Sequence, residues 1–397
     1  MPAGVANPLA YLGEQIESWK KAGTYQRLRV LESASAAEAR FDGRDVINLA
    51  SNNYLGLTTH PKLAEAALQA TRKYGVGSGA VRTISGTMSL HMELEERIAR
   101  FKHAEACVVF QSGFAANAGT VSAILTPDDH IISDELNHAS IIDGCRLSKA
   151  KIHVFPHKDT AAAEKILAQL ANVPGRKLLI TDGVFSMDGD IGPLSALVEL
   201  AEKYGAIMMV DDAHSSGVLG RNGRGTIDHF GLHGRVHIQV GTLSKAIGVL
   251  GGYVCGSREL IEFLYHRARP FLFSTSHPPA VAASCIAAFD VLEQEPERID
   301  NLWKNTRHFK QGLASAGFNT GMSETPITPV MVGEARRAYE LSRGLFEEGV
   351  LATGIGFPTV AEGKARVRTI VTATHTTAQL DRALAAFTRV GKRMELI

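Results

Sequence analysis

The stretch Val240-Gly-Thr-Leu-Ser-Lys-Ala-Ile-Gly-Val-Leu-Gly-Gly252 sets a lysine, Lys245, between small and apolar residues, behind an apolar run and ahead of flexible glycines. An ammonium in such surroundings is poorly solvated, which favours the neutral amine and makes Lys245 a candidate nucleophile toward a carbonyl. The same residues fit a surface lysine on a glycine-rich turn. The surrounding chain has to decide between them.

Outward from this stretch, apolar runs at Ala106 to Phe110, His130 to Ile132, Ile152 to Phe155, Leu178 to Ile180, Ile207 to Val210 and Val236 to Val240 mostly alternate with helix-length segments. That alternation predicts a parallel sheet with crossover helices, and Gly252 to Cys255 could add one more strand. Continuous hydrophobicity within each run means strands buried on both faces. In such sheets ligands collect beyond the carboxyl ends of the strands. Polar clusters sit at those ends: Gln111-Ser112-Gly113-Phe114, Asn137-His138, Asp182 to Ser186, Asp211-Asp212-Ala213-His214, and Thr242 to Lys245.

Before the sheet, Leu9, Leu12, Ile16 and Trp19 recur at helical spacing and predict an amphipathic helix that must pack on something. Asn48 to Gly56 reads as a short strand entering a turn, Pro61 to Tyr74 and His91 to Phe101 as helices. Gly75-Val-Gly77-Ser-Gly79 follows a helical pattern rather than a strand, so it is not a dinucleotide fingerprint. A long helix is expected near Val281 to Leu292, and Glu295-Pro296 marks a boundary. The expected division is an N-terminal segment 1–55, a large domain 56–294 and a smaller α+β domain 295–397.

Forty-two Lys and Arg against forty-one Asp and Glu leave a net charge of +1, so no electrostatic footprint points to nucleic acid or an anionic membrane. Cys107, Cys145, Cys255 and Cys285 are far apart and form no C-x-x-C pair, which argues against a zinc cluster and fits a reducing cytoplasm. No apolar run approaches the roughly 18 residues of a membrane span, and no leader pattern opens the chain. A soluble cytoplasmic protein with small-molecule ligands and no metal is expected.

A Schiff-base lysine needs a carbonyl partner, and pyridoxal 5'-phosphate (PLP) supplies one together with an electron sink. Its pyridine nitrogen needs a buried carboxylate, for which Asp211 is placed at a strand end; a helix cap is the other reading of that residue. His214 could donate to the phenolic oxygen. The phosphate wants backbone N–H groups at a helix N-terminus and hydroxyls, offered by Ser112, Gly113, Phe114, Thr242 and Ser244. His138 could lie on the ring or be an ordinary partly buried histidine. Arg366 or Arg368, on one face of the strand Ala365 to Val371, could clamp a carboxylate, and spacing does not choose between them.

Taken together, Asn48 to Leu57, Asn137 to Gly144, Asp182 to Gly189, Asp211 to His214, Thr242 to Gly251, Phe273 to Ser276, Gly363 to Arg368 and His375 resemble the α-oxoamine synthases, over nearly the whole chain. These are PLP enzymes of the aspartate aminotransferase fold (fold type I). The resemblance implies that Lys245 carries the cofactor and moves the substrate α-proton, with Asp211 on the pyridine nitrogen, His138 stacked on the ring and His214 on the phenolic oxygen. It implies cofactor contacts from Ser186 and Thr242, a carboxylate clamp at Arg368, and substrate contacts from Asn52 and Thr359. Ser274 and Thr275 would reach the phosphate from a second subunit, giving a homodimer with shared active sites.

The implied reaction is condensation of an amino acid with an acyl-CoA to an α-amino ketone. Asn137 to Gly144 and Ala386 to Lys392 resemble glycine C-acetyltransferase (2-amino-3-ketobutyrate CoA ligase) of threonine catabolism. Asp188 to Pro193, Asp212 to Gly217, Phe273 to Ser276 and Phe357 to Val360 look more like 8-amino-7-oxononanoate synthase of biotin synthesis. The mixture leads to the expectation of a glycine C-acetyltransferase-like enzyme of relaxed acyl-chain preference, with the pimeloyl thioester and L-alanine reaction as the alternative. An aminotransferase or PLP decarboxylase would share the fold and Lys245. A nucleotide triphosphatase and a nucleophile-elbow hydrolase are disfavoured, since no lysine precedes Ser or Thr and G-x-S-x-G is absent.

Overall fold

The structure, a computed structural model, describes residues 7–397. Its thirteen strands are β1 (Glu38–Phe41), β2 (Arg44–Asn48), β3 (Ala106–Phe110), β4 (His130–Asp134), β5 (Lys151–Phe155), β6 (Lys177–Asp182), β7 (Ile207–Asp211), β8 (Ile238–Thr242), β9 (Gly252–Gly256), β10 (Ile327–Gly333), β11 (Val350–Leu351), β12 (Thr353–Ile355) and β13 (Ala365–Ile370). Seven form the central sheet in the order β3-β9-β8-β7-β6-β4-β5, with β9 antiparallel to both neighbours and the other pairs parallel.

The sheet is covered on both faces, which explains its unbroken apolar strands. Ile131, Ile180, Met209 and Ile238 join a core shared with the helices Gly113–Ile124, Ala139–Ser148 and Arg258–Arg267. Their chain neighbours Ile132, Leu179 and Met208 point the other way, into the helices Thr160–Leu170 and Leu194–Tyr204. The C-terminal strands form a separate antiparallel sheet, β10-β13-β12. β11 leaves that region to pair in parallel with β2, beside β1, so segments about 300 residues apart share one small sheet.

The strand expected near Asn48 ends there instead. Asn48 Oδ1 accepts from the Ala50 amide and its Nδ2 donates to the Ala36 carbonyl, local bonds that turn the chain out of the ladder. The N-terminal helix forms over Ala10–Lys21, but among the described residues nothing covers it: Leu12, Ile16 and Trp19 are exposed. All four cysteines are buried and free. Among the described residues, no helix is long and apolar enough to cross a membrane, and no group of three or more His, Cys, Asp or Glu could hold a metal ion.

One ionic lock holds the loop after β6. His157 bonds Asp134 through Nδ1 at 3.0 Å and Asp190 through Nε2 at 2.9 Å, and its ring meets Phe185 edge-on. Burial opposes the charged imidazole, yet the bonds to the two carboxylates raise its pKa to about 9. A folded pKa above the unfolded value of about 6.5 means stability fully present below that value and lost as pH rises through 9. His157→Gln is therefore expected to cost about 2 kcal/mol near pH 6, where buried Asp134 loses its cation and Asp190 keeps only Lys158, and much less near pH 10. Denaturant titrations at the two pH values check this; equal losses at both would show that the ring is uncharged.

Candidate active site

A cavity of about 190 Å³ opens at the carboxyl ends of the central strands. Ser112, Gly113, Phe114, His138, Ser186, Asp211, His214, Thr242, Ser244 and Lys245 line it, so the structure gathers most of the residues singled out from sequence, joined by Ser140, Asp182 and Ala213. A larger groove, about 650 Å³, lies at the opposite strand ends between Ile207, Val236 and Phe263 and contains none of them.

Ser112 caps the helix Gly113–Ile124, its Oγ accepting from the Ala115 amide, so the first turn presents free backbone N–H groups to the cavity. The turn can sit there because β9 begins with a bare glycine: a Cβ on Gly252 would lie 2.3 Å from the Ser112 carbonyl oxygen. From the neighbouring strand end, Thr242 Oγ1 donates to the Gly251 carbonyl at 2.8 Å and lies 2.8 Å from Ser244 Oγ. Hydroxyls and amides thus converge at one side of the cavity.

Lys245 follows β8 by three residues. Burial pulls its amine down to about 8, against the opposing charges of Asp211 and Asp182. About a tenth of the amine is therefore neutral at pH 7, far more than for a surface lysine on a turn.

Asp211 ends β7, directly beside Asp182 at the end of β6. Its Oδ1 accepts from the Ala213 amide at 2.8 Å and its Oδ2 from Asn117 Nδ2 at 2.6 Å. Asp182 Oδ2 accepts from the His138 amide, and burial with the adjacent Asp211 charge raises its pKa well above the usual carboxylate range.

Burial lowers the pKa of both histidines, so both rings are neutral at pH 7. His214 Nδ1 is 2.8 Å from the Tyr54 hydroxyl, and His138 Nδ1 is 2.7 Å from Ser140 Oγ. Asp212 holds the backbone beneath: its carboxylate pairs with fully buried Lys102 at 2.7 Å and accepts from the hydroxyls of Ser215 and Thr226.

The two arginines of β13 separate cleanly. Arg366 is committed, its guanidinium bonding Asp188 and the Met187 carbonyl. Arg368 makes one bond, to the Ser186 carbonyl at 3.0 Å, and has no carboxylate partner, which leaves it free for a ligand. Burial lowers its pKa, so an incoming anion is favoured. Asn52 Oδ1 is buried without a hydrogen-bond partner among the described residues. Asn52, Ser274, Thr275, Thr359 and Arg368 are not among the residues lining the cavity of their own chain.

Asn117, Ser140, Tyr54 and Asp182 were not assigned roles from sequence. Asn117 sits in the run Ala115-Ala-Asn-Ala-Gly119 inside a helix, where nothing marks it; its spacing from Ser112 was the available signal.

The donor set fits PLP: an amine of lowered pKa, a doubly hydrogen-bonded buried carboxylate, a capped helix N-terminus with hydroxyls, and neutral histidines line one cavity.

Comparison with known proteins agrees. Residues 44–387 match the family aminotransferase class I and II. An 8-amino-7-oxononanoate synthase of Symbiobacterium thermophilum is 61% identical over 387 residues, covering 98% of this chain and 99% of that protein. One from Thermoanaerobacter pseudethanolicus is 58% identical over 389 residues, covering 98% of each. A serine palmitoyltransferase of S. paucimobilis, solved with bound PLP, superposes with a TM-score of 0.93 at 32% identity, over 99% of this chain and 100% of that one.

These relatives correct the expectation of a glycine C-acetyltransferase-like enzyme with relaxed acyl preference and a place in threonine catabolism. The two stretches behind it say little about substrate. Ala386 to Lys392 lies in the helix Thr377–Arg393, where Ala386, Phe387 and Val390 are core packing, and Asn137 to Gly144 forms the start of the helix Ala139–Ser148, with His138 capping it on the cavity wall. The chain belongs to the α-oxoamine synthase family of PLP-dependent enzymes, acyltransferases with the mostly parallel fold of class I and II aminotransferases.

Proposed function

We propose that the protein is an 8-amino-7-oxononanoate synthase, joining the α-carbon of L-alanine to the acyl carbon of a pimeloyl thioester with loss of thiol and carbon dioxide, in biotin synthesis. The observation that carries this is 54 to 61% identity over essentially the full chain to relatives of that name. The product's name supports alanine over glycine: a methyl carbon stands next to the amine-bearing carbon of the acid chain, and alanine supplies it.

PLP, when bound, supplies the electron sink that lets charge develop at the amino acid's α-carbon. The chain supplies placement and proton transfer. Lys245 Nζ is the attachment point and, once free and neutral, takes the α-proton. Asp211, its carboxylate held by two N–H donors, would face the ring nitrogen and keep that nitrogen protonated. His138, on the cavity wall, would cover the ring. For His214 to donate from Nε2 to the phenolic oxygen its Nδ1 must accept, so the Tyr54 hydroxyl donates.

Ser112, Gly113, Phe114, Thr242 and Ser244 hold the phosphate, with Ser186 a further contact. Ser274 and Thr275 complete that site from the second subunit of a homodimer, and Asn52 and Thr359 meet substrate. The setting is the cytoplasm.

Arg368→Ala is expected to raise the alanine KM about 100-fold, from loss of a charge-assisted pair of about 3 kcal/mol, with little change in thioester KM. Equal effects on both would make Arg368 structural. The function itself is tested by product mass with labelled alanine and pimeloyl-CoA: a methyl label is retained and a carboxyl label lost. A product keeping the carboxyl carbon contradicts the assignment.

A further inference from the structure

We propose that Asn117 is a positioning residue that couples Asp211 to His138 through Ser140, fixing the charge of one and the tautomer of the other. The chain of bonds starts at a backbone group whose direction is not adjustable. The Ser140 amide donates to His138 Nδ1 at 3.2 Å, so Nδ1 is an acceptor and the neutral ring carries its proton on Nε2. Ser140 Oγ, 2.7 Å from the same nitrogen, must then donate to it as well.

A hydroxyl that donates there has only lone pairs for Asn117, which therefore presents its NH₂ group, 2.9 Å away. The second proton of that NH₂ points at Asp211 Oδ2, 2.6 Å away. The reverse amide orientation would set a carbonyl oxygen against a carboxylate. Direction thus passes from a main-chain N–H on the helix Ala139–Ser148 to a carboxylate on β7, and each step leaves one choice for the next.

The arrangement is not optimal for stability alone. Asn117 is fully buried, and its Oδ1 has no hydrogen-bond partner among the described residues. An unpaired buried acceptor costs about 1–3 kcal/mol. That the amide keeps its NH₂ on Asp211 and Ser140 at this cost indicates that the two contacts matter more than satisfying the oxygen.

This inference rests on the proposed PLP site but not on the acyl donor. The other titratable groups around Asp211 are Asp182 on the adjacent strand, Lys245, His138, and, acting on Lys245 and His214, Arg368. All stay in place in the variants to be compared. Purified holoenzyme of wild type, Asn117→Ala, Ser140→Ala and the double variant is titrated from pH 6 to 10 without substrate, following the visible absorbance of bound PLP. Exchange of the alanine α-proton is followed separately by NMR.

Asn117→Ala is expected to move the absorbance midpoint by about one pH unit, the size of a lost hydrogen bond to a charged group, and to slow exchange at least tenfold. Ser140→Ala should slow exchange less, and add nothing in the Asn117→Ala background. An unmoved midpoint in Asn117→Ala, or effects of the two substitutions that multiply, overturns the coupling. If Asn117→Ala does not fold, Asn117→Ser, which keeps one donor, replaces it; the expected result is a smaller shift of the same sign, and a wild-type midpoint overturns the proposal. A wrong acyl donor would leave every one of these readings unchanged.

Discussion

Lys245→Ala is expected to abolish turnover, by a factor of at least about 10⁴, and with it the visible absorbance of covalently held PLP. Both losses have one cause. Its amine has a pKa lowered to about 8 and is within the cavity, while the other cavity-lining residues offer carboxyls, hydroxyls, imidazoles and backbone groups. Because Lys245 Nζ makes no hydrogen bond to hold the fold together, the variant should melt within a few degrees of wild type. Absorbance spectra and thiol release measured on the same preparation check this, and retention of full turnover would remove the lysine from the mechanism.

Asp211→Asn should be nearly as damaging, on the order of a thousandfold in alanine α-proton exchange, about 4 kcal/mol of lost charge stabilisation. The amide keeps the shape of the side chain, so the bond from the Ala213 amide to the side-chain carbonyl survives. What changes is charge: a neutral amide cannot hold a proton on a facing pyridine nitrogen. It also sets an NH₂ group against the Asn117 NH₂, where the acceptor Oδ2 stood. NMR exchange rates with thermal melts separate this from unfolding; unchanged exchange in a folded variant would mean that Asp211 only caps the turn after β7.

Much of this was legible because burial on two faces leaves a mark in sequence. Strands such as Leu178 to Ile180 and Ile207 to Val210 are apolar at consecutive positions, and the central sheet contains each of the seven runs. The polar clusters gather because parallel strands bring their carboxyl ends to one side. Contacts between remote segments left no comparable mark. Arg366 and Arg368 are alike in sequence, and only the position of Asp188 distinguishes them. His157 reads as a loop residue until Asp134 and Asp190 close on it. Asn117 reads as a helix interior. Acyl choice was misjudged because motifs serving the shared cofactor and the C-terminal core were weighed as if they contacted the acyl group.

The most direct measurement is thiol release by the holoenzyme with L-alanine plus pimeloyl-CoA beside glycine plus acetyl-CoA. The first pair is expected to be preferred in kcat/KM by a factor of about 100 or more, some 3 kcal/mol of discrimination. Preference for glycine with acetyl-CoA would contradict it.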